Sequence, residues 1–376
     1  MKNYYLILKK IDNLIKNRYI LSEKKKDWEN ILLEYEDRIK FVSNEEEFIR
    51  VINLMLSVLK DPHTNFENIH NRSYFLFPFN FMWVQDKLIV SSQNEYLPKG
   101  AVILRVNSLS MASLLQNKKM ENLGLPMSAI KMKINNYLYG ISDNKLNIKY
   151  SFDNKIFNCK VSRQLIPTKK PDKNDIYIYS KKINEEIDYI KIPCFLKGTF
   201  NQVCRWGKTI KNPNKLIIDL RGSQGGFVSE AIQCTEFFSS CNIFLGNKVY
   251  KSEGQEITEK VIILAKADTP KFKKIIILID NFTLSSSEFI FLRGLIKNPC
   301  VSTLGEQTAG IVHGMKRFVI QDQYLIELTV YRYYDDKGNI LKNVGISPDK
   351  YVPTTIDIIK NNTDIQLVSA LQDLCL

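Results

Sequence analysis

The second half of the chain alternates strongly apolar runs with helix-like segments, and this alternation constrains the fold more than any other feature. The runs IDYIKIPCF, KLIIDLR and KKIIILID predict strands, and the segments FNQVCRWGKTIK, VSEAIQCTEFFSS and SSSEFIFLRGLIKN predict helices between and after them. Apolar strands that alternate with helices are typical of a parallel sheet with helices on its faces. We therefore expect an α/β domain with a largely parallel sheet over residues 177–376.

The first part of the chain has a different pattern. Apolar stripes at helical spacing predict a helical N-terminal region over 1–72, in which Asp61-Pro62 ends the last helix and leaves His63 on a loop. The runs YFLFPFNFMWV, DKLIVSS, AVILRVNS and KLNIKYSF predict strands of a small β-rich domain over 73–166, with a short helix over SMASLLQNK. The lysine-rich segment 167–175 is the predicted linker to the third domain.

Composition excludes several classes of function. With 376 residues, 44% of them hydrophobic and 25% charged, the chain has the composition of a soluble globular protein. The net charge of +13 is spread along the chain, without zinc-finger spacing or a basic helix with interleaved aromatics, so we expect no nucleic-acid partner. No apolar run has membrane-spanning length, so we expect no membrane partner. The oligomeric state is not indicated.

Cysteine usage indicates the compartment. Seven cysteines are scattered without a C-x-x-C pair, which favours a reducing environment over a disulfide framework. The N-terminal segment MKNYYLILKKIDNLIKN lacks the continuous apolar region of a signal peptide. We therefore expect a cytoplasmic protein, and nothing in the sequence suggests a metal or a cofactor.

The glycine-rich stretch DLRGSQGG follows the apolar run KLII at a predicted strand end. Three glycines within five residues allow unusual backbone angles and close approach to a ligand, and the N–H groups of such a turn can form an oxyanion hole. A tight structural connection is the alternative interpretation. The stretch is not a phosphate-binding loop, because it lacks the Lys-Ser/Thr of a Walker motif and the spacing of G-x-G-x-x-G.

The stretch NFTLSSSEFI follows the next predicted strand, KKIIILID. Ser285 and Glu288 have the S-x-x-E spacing of a helix capping box, which is the structural interpretation. A serine at a strand end beside a glycine-rich loop also supplies two parts of an acyl-transfer site, and the part still needed is a base. The candidates among histidines are His63, His70 and His313.

Four motifs in order, DLRGSQGG, TLSSSE, GEQTAG and VGISPD, resemble the carboxyl-terminal processing (tail-specific) serine peptidases and their relatives in the tricorn core over about residues 187–352. LKDPHT resembles the family's histidine-containing entry segment, and KGAVILRVNS resembles a strand of its PDZ domain. The resemblance implies an α/β (α+β) chain with a crotonase-like peptidase core, preceded by a helical segment and a PDZ-like domain. It also implies a peptide or protein substrate bound as an extended strand.

The resemblance assigns roles to individual residues. The family nucleophile falls on Ser285, and the oxyanion donors fall on the backbone N–H groups of Gly225, Gly226 and Ser286. The processing branch has a lysine base directly after G-E-x-T-x-G, but Ile311 stands there in this chain and cannot accept a proton.

The tricorn-like branch uses a histidine at the position of His63. An imidazole near its usual pKa accepts a serine proton at neutral pH, so His63 is the predicted base. His313, close to the vacant lysine position, and Lys316, five residues beyond it, are the alternative bases. Two residues, Lys342 and Asn343, stand where the tricorn-like branch has a glutamate, which leaves Asp61, Glu306 and Thr64 as candidates to orient the histidine.

The predicted function is a serine endopeptidase that works through an acyl-enzyme. A catalytically inactive peptide-binding scaffold of the same fold is the alternative, because the vacant lysine position and the missing glutamate are what loss of activity would leave. A third possibility is a crotonase-like acyl-CoA enzyme, which would not need Ser285.

Overall fold

The computed structural model describes residues 4–21, 27–61, 63–70, 74–121, 125–140, 145–166, 178–211, 213–252, 254–341 and 344–375. Its helices are α1 (Tyr4–Arg18), α2 (Trp28–Ile39), α3 (Glu45–Ser57), α4 (Met111–Glu121), α5 (Met127–Gly140), α6 (Thr199–Gly207), α7 (Val228–Phe238), a π-helical segment (Ser287–Leu292) continued by α8 (Arg293–Leu295), α9 (Ile356–Lys360) and α10 (Ile365–Cys375).

The strands are β1 (Asn65–Asn68), β2 (Tyr74–Leu76), β3 (Phe81–Val84), β4 (Lys87–Val90), β5 (Val102–Val106), β6 (Leu109–Ser110), β7 (Lys145–Phe152), β8 (Lys155–Ser162), β9 (Gln164–Ile166), β10 (Tyr179–Lys182), β11 (Ile187–Lys191), β12 (Lys215–Asp219), β13 (Ile243–Ser252), β14 (Gln255–Ile263), β15 (Lys274–Ile279), β16 (Val301–Gly305), β17 (Gly314–Ile320), β18 (Tyr324–Tyr334) and β19 (Lys350–Tyr351). The predicted linker 167–175 and the pair Lys342-Asn343 lie outside the described residues.

The predicted parallel sheet is present in the C-terminal half. Its strand order is β10-β11-β12-β15-β16-β19, with parallel pairing from β11 onward and an antiparallel β10 at one edge. Neighbouring residues of β12 contribute to different cores: Leu216 and Ile218 pack with α6 and α7, whereas Ile217 packs with α10. Both faces are therefore buried, which explains why the strands are apolar throughout.

The N-terminal region contains three helices, α1, α2 and α3, which pack on a second, antiparallel sheet. This sheet has the order β1-β18-β13-β14, with β17 also paired to β18. Phe48 of α3, Phe66 of β1 and Tyr324 of β18 are fully buried in one core, with ring centroids 5.2 to 6.0 Å apart. The N-terminal helices thus share a hydrophobic core with strands from the C-terminal half.

A third sheet lies in the middle of the chain, with the order β3-β4-β5-β7-β8 and β6 paired to β5. The short helix predicted over SMASLLQNK is α4, whereas α5 was not predicted from the sequence. The core of this region also contains Leu284, Ala309 and Ile311 from the C-terminal half. The middle sheet therefore packs directly against the segments that flank Ser285.

Candidate active site

Ser285 lies in the turn between β15 and the π-helical segment, in a strained backbone conformation. Its φ angle is +57°, in the left-handed region that residues with a Cβ rarely occupy. Ser285 is half-buried, whereas Leu284, Ser286 and Ser287 beside it are buried. The turn thus brings one of the three consecutive serines to the surface of the crevice at the carboxyl end of the parallel sheet.

Hydrogen bonds hold this turn on two sides. The Ser285 N–H donates to the Ile311 carbonyl at 2.8 Å, and the Leu284 N–H donates to the Ser223 carbonyl at 3.0 Å. The buried hydroxyls of Ser223 and Ser287 lie 2.7 Å apart. The serine turn is therefore fixed between the glycine-rich loop and the segment that follows GEQTAG.

The glycine-rich loop contacts the serine turn directly. A Cβ atom on Gly225 would lie 2.7 Å from the Ser285 Cβ and 2.8 Å from the Ser286 nitrogen, so only glycine fits there. Gly225 has a φ angle of +79° and Gly226 one of +143°. Among the described residues, the N–H groups of Gly225, Gly226 and Ser286 donate no hydrogen bond, which leaves three backbone donors near Ser285.

The capping-box interpretation of Ser285 and Glu288 is wrong. The Ser285 N–H is bonded to Ile311 rather than to the glutamate, and the Glu288 carboxylate accepts the Gly310 N–H at 2.9 Å. Glu288 is fully buried, and this burial raises its pKa to about 7 despite the nearby Thr308 hydroxyl and the Gly310 N–H. Glu288 thus ties the serine turn to the GEQTAG loop.

The third and fourth motifs meet beside this loop. The Thr308 N–H donates to the Ile346 carbonyl at 3.0 Å, and a Cβ atom on Gly345 would lie 1.9 Å from the Thr308 carbonyl oxygen. Asp349 accepts hydrogen bonds from the Thr303 N–H and hydroxyl at 2.8 and 2.9 Å. The four motifs that are distant in sequence are therefore contiguous in the structure.

Ile311, in the position of the family lysine, is a core residue. It is 3% exposed and packs in the core of the middle sheet, while its carbonyl accepts the Ser285 N–H. A charged side chain there would be buried among apolar groups.

His63 lies on the loop between α3 and β1, as expected, and it is paired with Asp61. The His63 Nδ1 is 3.8 Å from the Asp61 Oδ1, and the Thr64 hydroxyl donates to the Asp61 Oδ2 at 2.8 Å. Burial of Asp61 opposes its ionisation, but His63, the neighbouring Thr329 hydroxyl and the Thr64 and His63 donors outweigh burial and lower the pKa of this carboxyl. Asp61 is therefore a buried carboxylate beside an imidazole.

Strands β17 and β18 connect the surroundings of Asp61 to the serine turn. Thr329 of β18, beside Asp61, pairs in register with Met315 of β17. Only three residues separate Met315 from Ile311, the acceptor of the Ser285 N–H. Of the other candidates to orient His63, Thr64 contacts Asp61, whereas Glu306 accepts hydrogen bonds from the Thr354 N–H at 2.9 Å and the Asn281 side-chain amide at 3.5 Å.

The two alternative bases lie on the same connection. His313 is 9% exposed and lies two residues after Ile311. Lys316 is exposed, and its Nζ lies 5.4 Å from the centre of the Tyr331 ring. His70 lies at the end of β1, where its Nε2 is 3.0 Å from the Asp322 carbonyl oxygen.

A cavity of about 730 Å³ lies between the middle sheet and the glycine-rich loop. Its walls include Phe81 and Trp83 of β3, Tyr139 of α5, Gln224 of the loop and Phe282 of the serine turn. The sequence interpretation missed this cavity, because α5, which forms one wall, was not predicted. Among the described residues, no cluster of His, Cys, Asp and Glu side chains could hold a metal ion, and no helix is long and apolar enough to span a bilayer.

The sequence matches known families in two regions. The family model for peptidase family S41 matches residues 186–352, and the model for the tricorn protease C1 domain matches residues 7–57. The first match contains the four motifs around Ser285, and the second covers most of α1, α2 and α3.

Two curated relatives share part of their length with this chain. The nisin-resistance protein of Lactococcus lactis subsp. lactis is 31% identical over 149 residues, which are 37% of this chain and 46% of that protein. The carboxy-terminal processing protease CtpA of Bacillus subtilis is 25% identical over 175 residues, which are 46% of this chain and 36% of that protein. The chain spans less than half the length of these two relatives.

The fold is shared with a solved structure over nearly the whole chain. Mature CPAF in complex with lactacystin superposes with a TM-score of 0.75 at 12% identity, covering 100% of this chain and 98% of that one. At this identity the likeness concerns the fold alone. The sequence matches therefore relate residues 186–352 of this chain to the S41 peptidases.

Proposed function

We propose that the protein is a serine peptidase in which Ser285 is the nucleophile and His63 the general base. The observation that carries the proposal is the strained, half-buried Ser285 in contact with Gly225, beside three backbone N–H groups that donate to no described residue. A hydroxyl and unused donors at one point are what acyl transfer requires.

The reaction has two chemical steps. The Ser285 Oγ attacks the peptide carbonyl while His63 takes its proton, and the N–H groups of Gly225, Gly226 and Ser286 stabilise the oxyanion. His63 then gives the proton to the leaving amine as the C–N bond breaks. Water, deprotonated by His63, hydrolyses the remaining ester and restores the Ser285 hydroxyl.

The Asp61 carboxylate supports the choice of His63. An imidazole that takes a proton becomes a cation, and the buried carboxylate 3.8 Å from its Nδ1 stabilises that cation. Asp61 thereby replaces the glutamate that the tricorn-like branch carries at the position of Lys342-Asn343. The Asp61–His63 pair and the core position of Ile311 support the histidine-using, tricorn-like branch over the serine–lysine branch.

The substrate is a peptide or an unfolded segment of a protein that binds as an extended strand in the cavity. β3 lies at one edge of the middle sheet, and three of its residues, 81–83, line the cavity, so its outer edge is available for main-chain pairing. The rings of Phe81 and Tyr139 and the Trp83 side chain offer apolar contacts beside it. The cavity continues to Gln224 and Phe282, next to the proposed oxyanion donors.

Proteolysis of a denatured protein mixture tests the proposal. The wild-type protein is incubated with reduced, alkylated casein and with a peptide library, and new termini are identified by mass spectrometry. We expect new termini with the wild type and none with Ser285→Ala. Binding of the peptides without cleavage by either protein would instead identify a peptide-binding scaffold.

We also propose a reducing compartment, such as the cytoplasm. All seven cysteines lie in the described part of the chain and have free thiols. Alkylation of the protein in freshly lysed cells is expected to modify seven thiols after denaturation, and protection of a pair of cysteines would contradict this location.

A further inference from the structure

The glycine-rich loop is anchored by one arginine, Arg221, which lies between two carboxylates. Its Nε and Nη2 donate to the Asp219 carboxylate at 3.0 and 2.7 Å. Its Nη1 and Nη2 donate to the two oxygens of Asp364 at 2.7 Å each, and Nη1 also donates to the Gln366 side chain at 3.1 Å. The guanidinium donors are thus all engaged, in two forked pairs of the kind that fixes both position and plane.

The two carboxylates come from distant parts of the chain. Asp219 ends β12 and is 1% exposed, and it also accepts the Tyr189 hydroxyl at 2.8 Å. Asp364 precedes α10, where it accepts the Leu367 N–H at 3.0 Å. Arg221 therefore connects the first residues of the glycine-rich loop to the start of the C-terminal helix.

The positive charge of Arg221 stabilises the ionised forms of Asp219 and Asp364. Burial opposes ionisation of Asp219 and Asp364, but the hydrogen bonds and charge of Arg221 outweigh it and lower the pKa of both carboxyls. The ion pairs are only partly accessible, since the Arg221 side chain is 19% exposed, so solvent screens them less than surface pairs.

The backbone leads directly from Arg221 to the donors of the site. The Gly222 N–H donates to the Asp280 carboxylate at 2.9 Å, and the Ser223 N–H donates to the Leu220 carbonyl at 2.9 Å. Gly225 follows two residues later and contacts Ser285. Only three residues, 222–224, thus separate Arg221 from the Gly225 and Gly226 N–H groups.

We propose that Asp364 is a positioning residue of the active site, which holds Arg221 so that the glycine-rich loop presents its N–H groups to the oxyanion. This role rests on the proposed serine peptidase function. Asp364 lines the cavity beside Arg221, but both of its oxygens accept hydrogen bonds from Arg221, so its loss is expected to lower the rate of acyl transfer with little change in the binding of peptide. A misplaced oxyanion donor costs about 100-fold in rate.

The test compares Asp364→Asn, just before α10, with Asp373→Asn, near the end of α10. Asp373 forms an ion pair with Lys350 at 2.7 Å instead of with Arg221, and it provides the matched control for loss of one ion-paired carboxylate. Circular dichroism verifies that each variant is folded. The hydrolysis of a peptide that the wild type cleaves gives kcat and KM. We expect Asp364→Asn to lower kcat by about 100-fold with KM within threefold of wild type, and Asp373→Asn to match wild type.

Arg221→Lys, which keeps the charge but not the forked donors, provides a second variant and takes the place of Asp364→Asn if that protein does not fold. It is expected to show the same selective loss of kcat. Peptide affinity, measured in the Ser285→Ala background, should be unchanged by Asp364→Asn. Equal kcat in the Asp364→Asn and Asp373→Asn proteins would overturn the positioning role, whereas a wild type that neither cleaves peptide nor reacts at Ser285 would refute the function on which it rests.

Discussion

At the scale of single residues, the candidate site contains one residue with an unfavourable backbone conformation and one carboxyl group in an unfavourable buried position. Ser285 occupies a left-handed conformation that costs a serine free energy, and Glu288 is a carboxyl group without exposure to solvent. Ser285 lies in the turn between β15 and the π-helical segment, and Glu288 lies at the start of that segment. Unfavourable local states of this kind concentrate at functional sites, because the surrounding structure imposes them.

Glu288 makes the stability of the protein depend on pH. Its pKa is about 7 in the folded protein and near 4.5 when unfolded, so between these values only the folded protein keeps the proton. Stability therefore falls as pH rises through this window, by about 3 kcal/mol in total. Glu288→Gln carries no such proton, so the decrease in the free energy of unfolding between pH 5 and pH 8 should be smaller by most of this amount in urea titrations.

The control for this comparison is Glu34→Gln, since Glu34 lies on the exposed face of α2. It should retain the pH dependence of the wild type. Parallel pH curves for the wild type and Glu288→Gln would show that the buried carboxyl is not protonated near neutral pH.

At the scale of elements, the site is assembled from the carboxyl ends of three adjacent parallel strands. The glycine-rich loop follows β12, the serine turn follows β15, and GEQTAG follows β16, and these strands are neighbours in the sheet. This is where ligands bind in open α/β sheets, and it explains how motifs far apart in sequence become contiguous. The glycine-rich loop and the serine turn are in such close contact that one added methyl group between them would change their shape.

Substitution of two glycines in the glycine-rich loop distinguishes the effect of a steric clash with Ser285 from the effect of backbone strain. Gly225→Ala would place a Cβ 2.7 Å from the Ser285 Cβ, whereas Gly222→Ala, at a similar φ of +75°, would meet nothing within 4 Å. Both variants lose roughly 1–2 kcal/mol of stability from the left-handed conformation. Only Gly225→Ala is expected to abolish peptide cleavage. Equal activity of the two variants would show that the loop does not contact the reacting serine.

Several elements could be predicted from the sequence, and burial explains which ones. β11, β12 and β15 were predicted because both faces are buried and their residues are continuously apolar. The hairpin of β13 and β14 was not, since most of β14 faces solvent and its sequence QEITEKVII is largely polar. The Arg221–Asp364 pair could not be predicted either, because 143 residues separate its members and no local pattern marks them.

The motifs predicted the strand-end location of Ser285, but not how its neighbours would bond. The spacing of Ser285 and Glu288 fits a capping box, yet tertiary packing turns the glutamate toward Gly310 instead. The pairing of His63 with Asp61 was one of three possibilities, and the fold of the loop after α3 determines it.

At the scale of the whole molecule, the N-terminal helices and the C-terminal half share one core. α1, α2 and α3 bury apolar side chains against β1, β17 and β18, and the loop that carries His63 lies at this junction. The helices therefore fix β1 and the loop before it, which carries the proposed base His63. A change in this shared core should affect the stability of the entire molecule.

Phe48→Ala tests this coupling. Phe48 is fully buried between Tyr4, Phe66 and Tyr324, so its truncation is expected to cost about 3–5 kcal/mol. Urea unfolding should remain a single transition with a midpoint at lower urea concentration than in the wild type. Tryptophan fluorescence and Ser285 reactivity should report the same midpoint. Phe41→Ala, at an 84% exposed position, should leave the transition in place. Separate transitions in the two signals would mean that the N-terminal helices unfold independently.

The most direct test of the central claim, that His63 activates Ser285, is the rate at which a fluorophosphonate probe labels Ser285. We expect His63→Gln to slow labelling by at least about 100-fold, and His313→Gln and Lys316→Met to label at nearly the wild-type rate. Mass spectrometry would place the label on Ser285 in each reactive protein. Undiminished labelling of His63→Gln, with loss of labelling in His313→Gln or Lys316→Met, would contradict the account.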